Sequence, residues 1–233
     1  LYYNAFTEDL FYWDNDLSGD EDRKLKIHSN VFTTWVLEEQ GQGPTIIDHF
    51  QRLTNSNLEP TFSADFTEIS FAIRGGGSDI PIKISKGEES NLIWSMFYSF
   101  LELIIEELSS SEDERSTNDF DKLKYVFIDD PVSSLDDNHL IEIAVDLAKL
   151  VKSSSADLKF IITTHNPLFY NVLSNEFNNK LAKDPNAETI EWIYKPNKSK
   201  KSRLDKKANG TYSLTELGGN TPFSYHLLLL SEI

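Results

Sequence analysis

Two short apolar segments joined by an amphipathic one constrain the fold of this chain more than any other feature. Residues 125–128 are continuously apolar and residues 158–162 nearly so, which is typical of strands covered on both faces. Between them, residues 140–151 have apolar side chains at helical spacing. Because a helix of this length joins two such strands, we predict a parallel βαβ unit and hence an α/β fold.

The rest of the chain adds further helices and strands to this prediction. Residues 87–108 have the longest helical pattern and predict a mostly buried helix. Shorter patterns predict helices at 31–39, 45–53 and 167–173, and strands at 1–11, 66–73, 79–85 and 189–194. Residues 14–24 and 195–207 are polar and are expected to be loops. We therefore expect a mixed sheet whose parallel core strands are flanked by helices.

Composition limits the kind of protein this can be. Hydrophobic residues make up 39% of the 233 residues, which is enough for one large domain over residues 1–233. The chain has no cysteine, so disulfides and thiolate metal ligands are excluded. No apolar run approaches the roughly 18 residues of a membrane span, and we expect no membrane partner and a cytoplasmic location.

The charge is strongly acidic but uneven. A formal net charge of −16 argues against a chain that wraps nucleic acid along its whole length. Residues 102–121 are acidic and residues 195–207 are basic, and each segment is compatible with a solvated loop. The basic segment has a second candidate role, contact with RNA, DNA or nucleotide phosphates, and the sequence leaves both roles open.

Two adjacent acids, Asp129 and Asp130, end the first buried strand. Ligands collect at the carboxyl ends of parallel strands, and an acid there can hold Mg²⁺ through water beside nucleotide phosphates. A second acid can orient a water molecule for attack. The same residues, followed by proline, are also good turn formers, so the pair alone leaves a structural role open.

A histidine ends the second buried strand. His165 is expected beside the strand that ends at Asp130, where it can contact a terminal phosphate or position the attacking water.

The start of the long helix is a third candidate site. Ser85 and Glu88 have the spacing of a capping box, which is a structural role. The N–H groups of the first turn, together with Ser85, Lys86 and Gly87, also form an anion site suited to phosphate.

These three elements, in this order, resemble the ABC-type ATPase head. Residues 84–88 (ISKGE) resemble its signature loop, 127–131 (FIDDP) its Walker B strand, and 133–136 (SSLD) its D-loop. The resemblance implies a head-to-head dimer with ATP or GTP and Mg²⁺ between subunits. It implies a metal ligand at Asp129, catalysis by Asp130 and His165, and nucleotide contacts from Ser85, Lys86, Gly87, Glu88, Ser133, Ser134 and Asp136.

The sequence departs from that family at three points. Asp130 stands where most such ATPases have Glu, and Lys86 replaces a small residue. No Gly-x-x-x-x-Gly-Lys-Ser/Thr motif occurs. We therefore expect the phosphate-binding loop to precede Leu1.

Whole phrases, including residues 84–100 and 123–148, resemble the PrrC family of bacterial anticodon nucleases. That resemblance implies an NTPase that controls a HEPN-type nuclease beyond Ile233, which cuts lysine tRNA during phage infection beside a type I restriction–modification complex. It also implies thymidine nucleotide as a further ligand. Two alternatives remain: a RecF-like DNA-repair ATPase head, and a nucleotide-gated dimerisation module with negligible hydrolysis.

Overall fold

The computed structural model describes residues 1–4, 11–15, 23–54, 57–75, 82–132, 135, 137–154, 157–178, 181–183, 192–194 and 199–217. The strands are β1 (Tyr2–Asn4), β2 (Phe11–Asn15), β3 (Arg23–Ile27), β4 (Leu58–Phe62), β5 (Glu68–Ile73), β6 (Tyr125–Asp129), β7 (Lys159–Thr163), β8 (Leu181–Lys183), β9 (Trp192–Tyr194), β10 (Ser202–Lys206) and β11 (Tyr212–Glu216). The helices are α1 (Val31–Thr34), α2 (Gly43–Thr54), α3 (Lys86–Ser109), α4 (Asp137–Ser153) and α5 (Pro167–Asn178). None of these helices is long and apolar enough to cross a membrane.

A three-stranded parallel sheet, in the order β1-β6-β7, forms the core predicted from the sequence. β6, α4 and β7 follow one another along the chain, and β6 pairs in parallel with β7, which confirms the βαβ unit. On one face, Tyr3 pairs with Ile128, which pairs with Ile162. Tyr3 packs there against Trp94 of α3 at a ring-centroid distance of 5.3 Å.

The antiparallel strands form a second sheet, in the order β2-β3-β5-β4. The expectation of a loop over residues 14–24 was wrong in part, because β2 extends to Asn15 and β3 begins at Arg23. β3 buries Leu25 and Ile27 and leaves Lys24 and Lys26, on its other face, partly exposed. β4 was not predicted, because it contains Pro60. The proline is tolerated because β4 lies at the edge of the sheet, where the missing N–H breaks no second row of hydrogen bonds.

Helix α3 runs through the interior of the domain. Every residue from 91 to 101 is buried, which confirms the expected buried helix. The helix begins after a complete capping box: the Ser85 hydroxyl accepts from the Glu88 N–H, and the Glu88 carboxylate accepts from the Ser85 N–H. Residues 82–85 of the expected 79–85 strand are irregular, and the rest of that segment lies outside the described residues.

The helix predicted at 31–39 changes form along its length. α1 continues as a π-helix, Trp35–Glu39, and ends in a reverse turn where the Gln42 N–H donates to the Val36 carbonyl at 3.0 Å. Gly41, at φ 63°, provides the left-handed residue that this ending needs.

Two separate hairpins account for the C-terminal described residues. β8 pairs with β9, and β10 pairs with β11, both antiparallel. The expected 195–207 loop was therefore wrong over Ser202–Lys206, which is a strand. The strand expected at 189–194 is confirmed for Trp192–Tyr194, and the part of the 1–11 strand that the structure describes is β1 and the start of β2.

Charged side chains link α2, α3 and α4 across their interface. His49 Nδ1 lies 3.0 Å from the Ser99 hydroxyl, and its Nε2 lies 3.8 Å from the Glu102 carboxylate. Arg52 forms a 2.7 Å ion pair with Asp146, a contact not aligned as a hydrogen bond. Burial, and then the positive charge of Arg52, lower the pKa of His49. Burial, and then the negative charge of Asp146, raise the pKa of Glu102.

The shifts at His49 and Glu102 predict opposite pH dependences of stability. A lowered histidine pKa means that the unfolded chain takes up the proton first, so stability is complete above the ordinary pKa of 6.5 and is lost as the pH falls below it. A raised carboxyl pKa means that stability is lost as the pH rises above 4.5. We expect His49→Gln to flatten the first trend and Glu102→Gln the second.

Urea unfolding between about pH 5 and pH 8 measures both trends. If the two variants change the pH profile in the same direction, the assigned causes are incorrect.

Candidate functional site

The first part of the candidate site is the carboxyl edge of the parallel sheet. Asp129 ends β6 and pairs in register with Thr163, the last residue of β7. The Asp129 carboxylate accepts a hydrogen bond from the Thr163 hydroxyl and another from the Tyr2 hydroxyl at 3.2 Å. All three parallel strands therefore contribute to the position of this carboxylate.

Asp130 is held in an unusual backbone conformation. Its φ of 46° lies in the left-handed region, which non-glycine residues seldom adopt. Its N–H donates to the Thr163 carbonyl at 2.9 Å, and its carboxylate accepts from the Thr164 hydroxyl at 3.0 Å. His165 Nδ1 lies 2.6 Å from the second carboxylate oxygen. The structure thus brings together Asp129, Asp130 and His165, the three residues predicted at these strand ends.

The segment after β7 builds this arrangement locally. The Thr164 hydroxyl accepts from the Asn166 N–H at 3.0 Å while it donates to Asp130. The Asn166 side-chain oxygen accepts from the N–H groups of Leu168 and Phe169, and so caps α5. Sequence reasoning missed the roles of Thr163, Thr164 and Asn166. The polar run TTHNP, which begins at the last residue of β7, is the sequence feature from which these roles could have been predicted.

A buried phenol lies close to the paired acids. Tyr3 is 2% exposed, and its hydroxyl has no hydrogen-bond partner among the described residues. Burial, and then the negative charge of Asp130, raise the pKa of Tyr3. The Tyr3 phenol therefore stays protonated and adds no negative charge beside the paired acids.

The second part of the candidate site is the N-terminus of α3. Ser85 and Glu88 are engaged in the capping box, and Gly87 is partly buried in the first turn. The Lys86 ammonium lies 3.1 Å from the Glu89 carboxylate, which also accepts from the Trp13 indole N–H. Because the Lys86 side chain is 80% exposed, exchange of Glu89 for an anionic ligand costs little desolvation.

The donor set at Asp129 suits a particular mode of metal binding. The described residues contain no group of three or more metal-ligating side chains, so no all-protein cage is present among them. Mg²⁺ is commonly held by one or two carboxylates together with waters and substrate phosphates. A single carboxylate at a strand end fits that mode, and Asp129 is the residue that would hold the ion.

Three predicted residues, Ser133, Ser134 and Asp136, lie outside the described residues. Their nucleotide contacts stay a prediction. Val132, the residue before them, is 3% exposed.

The fold and the site together define an α/β domain whose candidate ligand site lies at the carboxyl edge of a parallel sheet. A family model described as an AAA domain matches residues 45–216, and the chain belongs to this family. The chain is 52% identical over 241 residues to the anticodon nuclease of Escherichia coli. That alignment covers 100% of this chain and 56% of the relative, so the chain spans about half the length of this curated relative.

Two solved structures of SMC proteins are similar to this chain, at a much lower sequence identity than the anticodon nuclease. One, from work on their ATP-driven dimerization and DNA-stimulated activation, has a TM-score of 0.41 at 14% identity and covers 81% of this chain and 91% of its own. The other, an Smc head bound to the C-terminal winged-helix domain of ScpA, has a TM-score of 0.42 at 13% identity. It covers 76% of this chain and 42% of its own.

Because Asp130 has a left-handed backbone, we predict that glycine at this position gives a more stable protein than alanine, the reverse of the usual order in a strand. Both Asp130→Gly and Asp130→Ala remove the carboxylate, but only alanine has a Cβ that clashes in this conformation. We expect the glycine variant to be more stable by about 1 kcal/mol in urea unfolding. At Asp129, in ordinary strand geometry, alanine should be the more stable variant. The same order at both positions would contradict the backbone assignment.

Proposed function

We propose that this domain binds and hydrolyses a nucleoside triphosphate and thereby regulates a tRNA anticodon nuclease. The observation that carries the proposal is the 2.6 Å contact between Asp130 and His165, beside Asp129 at the carboxyl edge of the sheet. The 52% identity with a protein named anticodon nuclease supports the choice of nuclease.

Each residue at the sheet edge has a separate task in this proposal. Asp129 holds Mg²⁺, which neutralises charge on the β- and γ-phosphates when bound. Asp130 orients the attacking water and accepts its proton. Because His165 Nδ1 faces the Asp130 carboxylate, we assign contact with the terminal phosphate to Nε2. The hydrogen bond from Thr164 keeps the Asp130 carboxylate in position.

A second copy completes the site. Ser85, Lys86 and Gly87 of one subunit clamp the phosphate held by the other, with Glu88 fixing the helix start. Lys86 exchanges its Glu89 partner for the phosphate as the subunits close. Residues 133–136, with Ser133, Ser134 and Asp136, transmit closure between subunits.

The proposed cellular role rests on the sequence resemblance rather than on the geometry. We propose ATP or GTP as substrate, thymidine nucleotide as a further ligand, and lysine tRNA as the target of the whole protein in the cytoplasm. We also propose a role in anti-phage defence with a type I restriction–modification complex as partner. A nuclease domain beyond Ile233 would cut the tRNA.

One face of the parallel sheet supports the presence of a further nucleotide-binding segment. Tyr2, Phe127 and Ile161 lie in one register row and are 62%, 42% and 39% exposed. Parallel sheets are normally covered on both faces. We propose that a segment containing the phosphate-binding loop, upstream of Leu1 in the natural protein, packs on this row.

A second candidate function has one observation in its favour. The Asp130 carboxylate already interacts with His165 and Thr164, which leaves it less able to activate water. Nucleotide would then close the dimer with negligible hydrolysis. A DNA-repair ATPase head is a third candidate, and DNA-stimulated turnover without tRNA cleavage would favour it.

The catalytic role of Asp130 is tested by Asp130→Asn in the full-length natural protein. Loss of the base should reduce the rate of NTP hydrolysis by about 100-fold or more, while nucleotide binding is retained. Phosphate release and fluorescent-nucleotide binding measure the two effects. Lys122→Gln, on an exposed residue in the turn before β6, is the control. Unchanged turnover in Asp130→Asn would show that hydrolysis does not use this site.

The covered sheet face is tested by a matched pair of isoleucines in the full-length natural protein. Ile161→Lys places a charge under the proposed segment and should destabilise the protein by about 3 kcal/mol or more. Ile73→Lys, at an exposed position at the end of β5 in the other sheet, should change stability by about 0.5 kcal/mol or less. Thermal unfolding compares the two variants, and equal effects would mean that the face is open to solvent.

A further inference from the structure

We propose that the β10–β11 hairpin, with the preceding Lys200 and Lys201, is a docking surface for RNA. The proposal rests on the proposed function, because it supplies a contact between this domain and the tRNA that the whole protein would cut. It concerns the basic segment that the nucleotide site does not use.

The hairpin is a regular local structure. Five register pairs join its strands, from Ser202 with Glu216 to Lys206 with Tyr212. Gly210, at φ 81°, allows the turn, and the Asn209 side chain accepts from the N–H and hydroxyl of Thr211. The Lys207 N–H donates to the Thr211 carbonyl at 2.8 Å and closes the loop. The strand register therefore fixes which side chains of the hairpin lie next to one another on each face.

One face of the hairpin exposes large apolar side chains to solvent. Leu204 and Leu214 are register partners and are 64% and 70% exposed, and Tyr212 is 61% exposed. A two-stranded hairpin is marginally stable by itself. An exposed apolar face of this kind on a regular hairpin marks a surface that binds a partner.

The charge of the hairpin is opposite to that of the chain. Residues 199–217 contain five basic and two acidic residues, whereas the whole chain has a net charge of −16. Arg203 pairs with Asp205 at 2.9 Å. Among the described residues, Lys200, Lys201, Lys206 and Lys207 have no carboxylate within ion-pair distance, so their charges are available to an anionic partner. Burial lowers the pKa of Lys201.

The arrangement favours RNA over an acidic protein. Lys206 and Tyr212 are register partners on the face that exposes the two leucines, so a cation lies beside an exposed aromatic ring. Single-stranded RNA presents phosphates that can contact the lysine and unstacked bases that can stack on the tyrosine ring. An acidic protein surface would pair with the lysines, whereas RNA uses the lysines and also stacks bases on the ring.

The test uses the full-length natural protein and a fluorescently labelled tRNA at several salt concentrations. Lys206→Glu with Lys207→Glu should weaken tRNA binding by about 10-fold or more. It should also lower the salt slope by about one for each phosphate that the protein no longer neutralises. Lys122→Glu with Lys124→Glu makes the same charge change on exposed residues elsewhere and should alter binding less than about twofold. Both variants should hydrolyse NTP at the wild-type rate.

Two further variants separate binding from folding. Lys206→Arg with Lys207→Arg keeps the charge and should bind tRNA as the wild type does. Tyr212→Leu keeps an apolar strand residue but removes the ring, and should weaken binding by about 5-fold or more at every salt concentration.

Three results would overturn the proposal: no binding of tRNA by the wild type, equal effects of the two charge-reversal pairs, or unchanged tRNA affinity together with loss of oligomers in sedimentation. The last result would assign the hairpin to an acidic surface of a second copy. NTP hydrolysis is measured separately. Loss of hydrolysis would count against the proposed function, whereas normal hydrolysis with no effect of the hairpin variants on tRNA binding would count against the hairpin proposal alone.

Discussion

The hydrogen bonds that join the end of β6 to the end of β7 hold the whole candidate site in place. Thr163 and Thr164 hold the carboxylates of Asp129 and Asp130, and the Thr163 carbonyl fixes the left-handed backbone of Asp130. Adjacent carboxylates would otherwise repel each other at close range. Each acid instead has its own hydroxyl donor, and His165 contacts the Asp130 carboxylate. The two acids can therefore perform different tasks.

Helix α3 connects this edge to the rest of the molecule. Its N-terminus carries Ser85, Lys86 and Gly87, its middle packs against Tyr3 of the parallel sheet, and its later turns carry Ser99 and Glu102. Since α3 is buried over residues 91–101, movement of one end requires repacking along its length. Closure over a nucleotide would thus be transmitted to α2 and α4 through the charged residues at their interface.

The sequence predicted those features that depend on local pattern. The βαβ unit followed from the change of apolar period, the capping box from the spacing of Ser85 and Glu88, and the proximity of Asp130 and His165 from strand ends at one sheet edge. Pairings between distant segments could not be predicted in this way. β3 looks polar by composition, the last two residues of β2 are polar, and Pro60 disguises β4. The hydroxyl contacts of Thr163 and Thr164 depend on sheet register, which the strand patterns alone do not fix.

We propose above all that Asp129, Asp130 and His165 face the phosphates of a bound nucleotide. A structure of the full-length natural protein with Mg²⁺ and a non-hydrolysable NTP analogue is the decisive measurement. We expect the ion within one water of Asp129, the terminal phosphate within hydrogen-bond distance of His165 Nε2, and Ser85 and Gly87 of the partner subunit against the same phosphate. A nucleotide bound away from this sheet edge, with Asp130 and His165 still in contact with each other, would contradict the proposal.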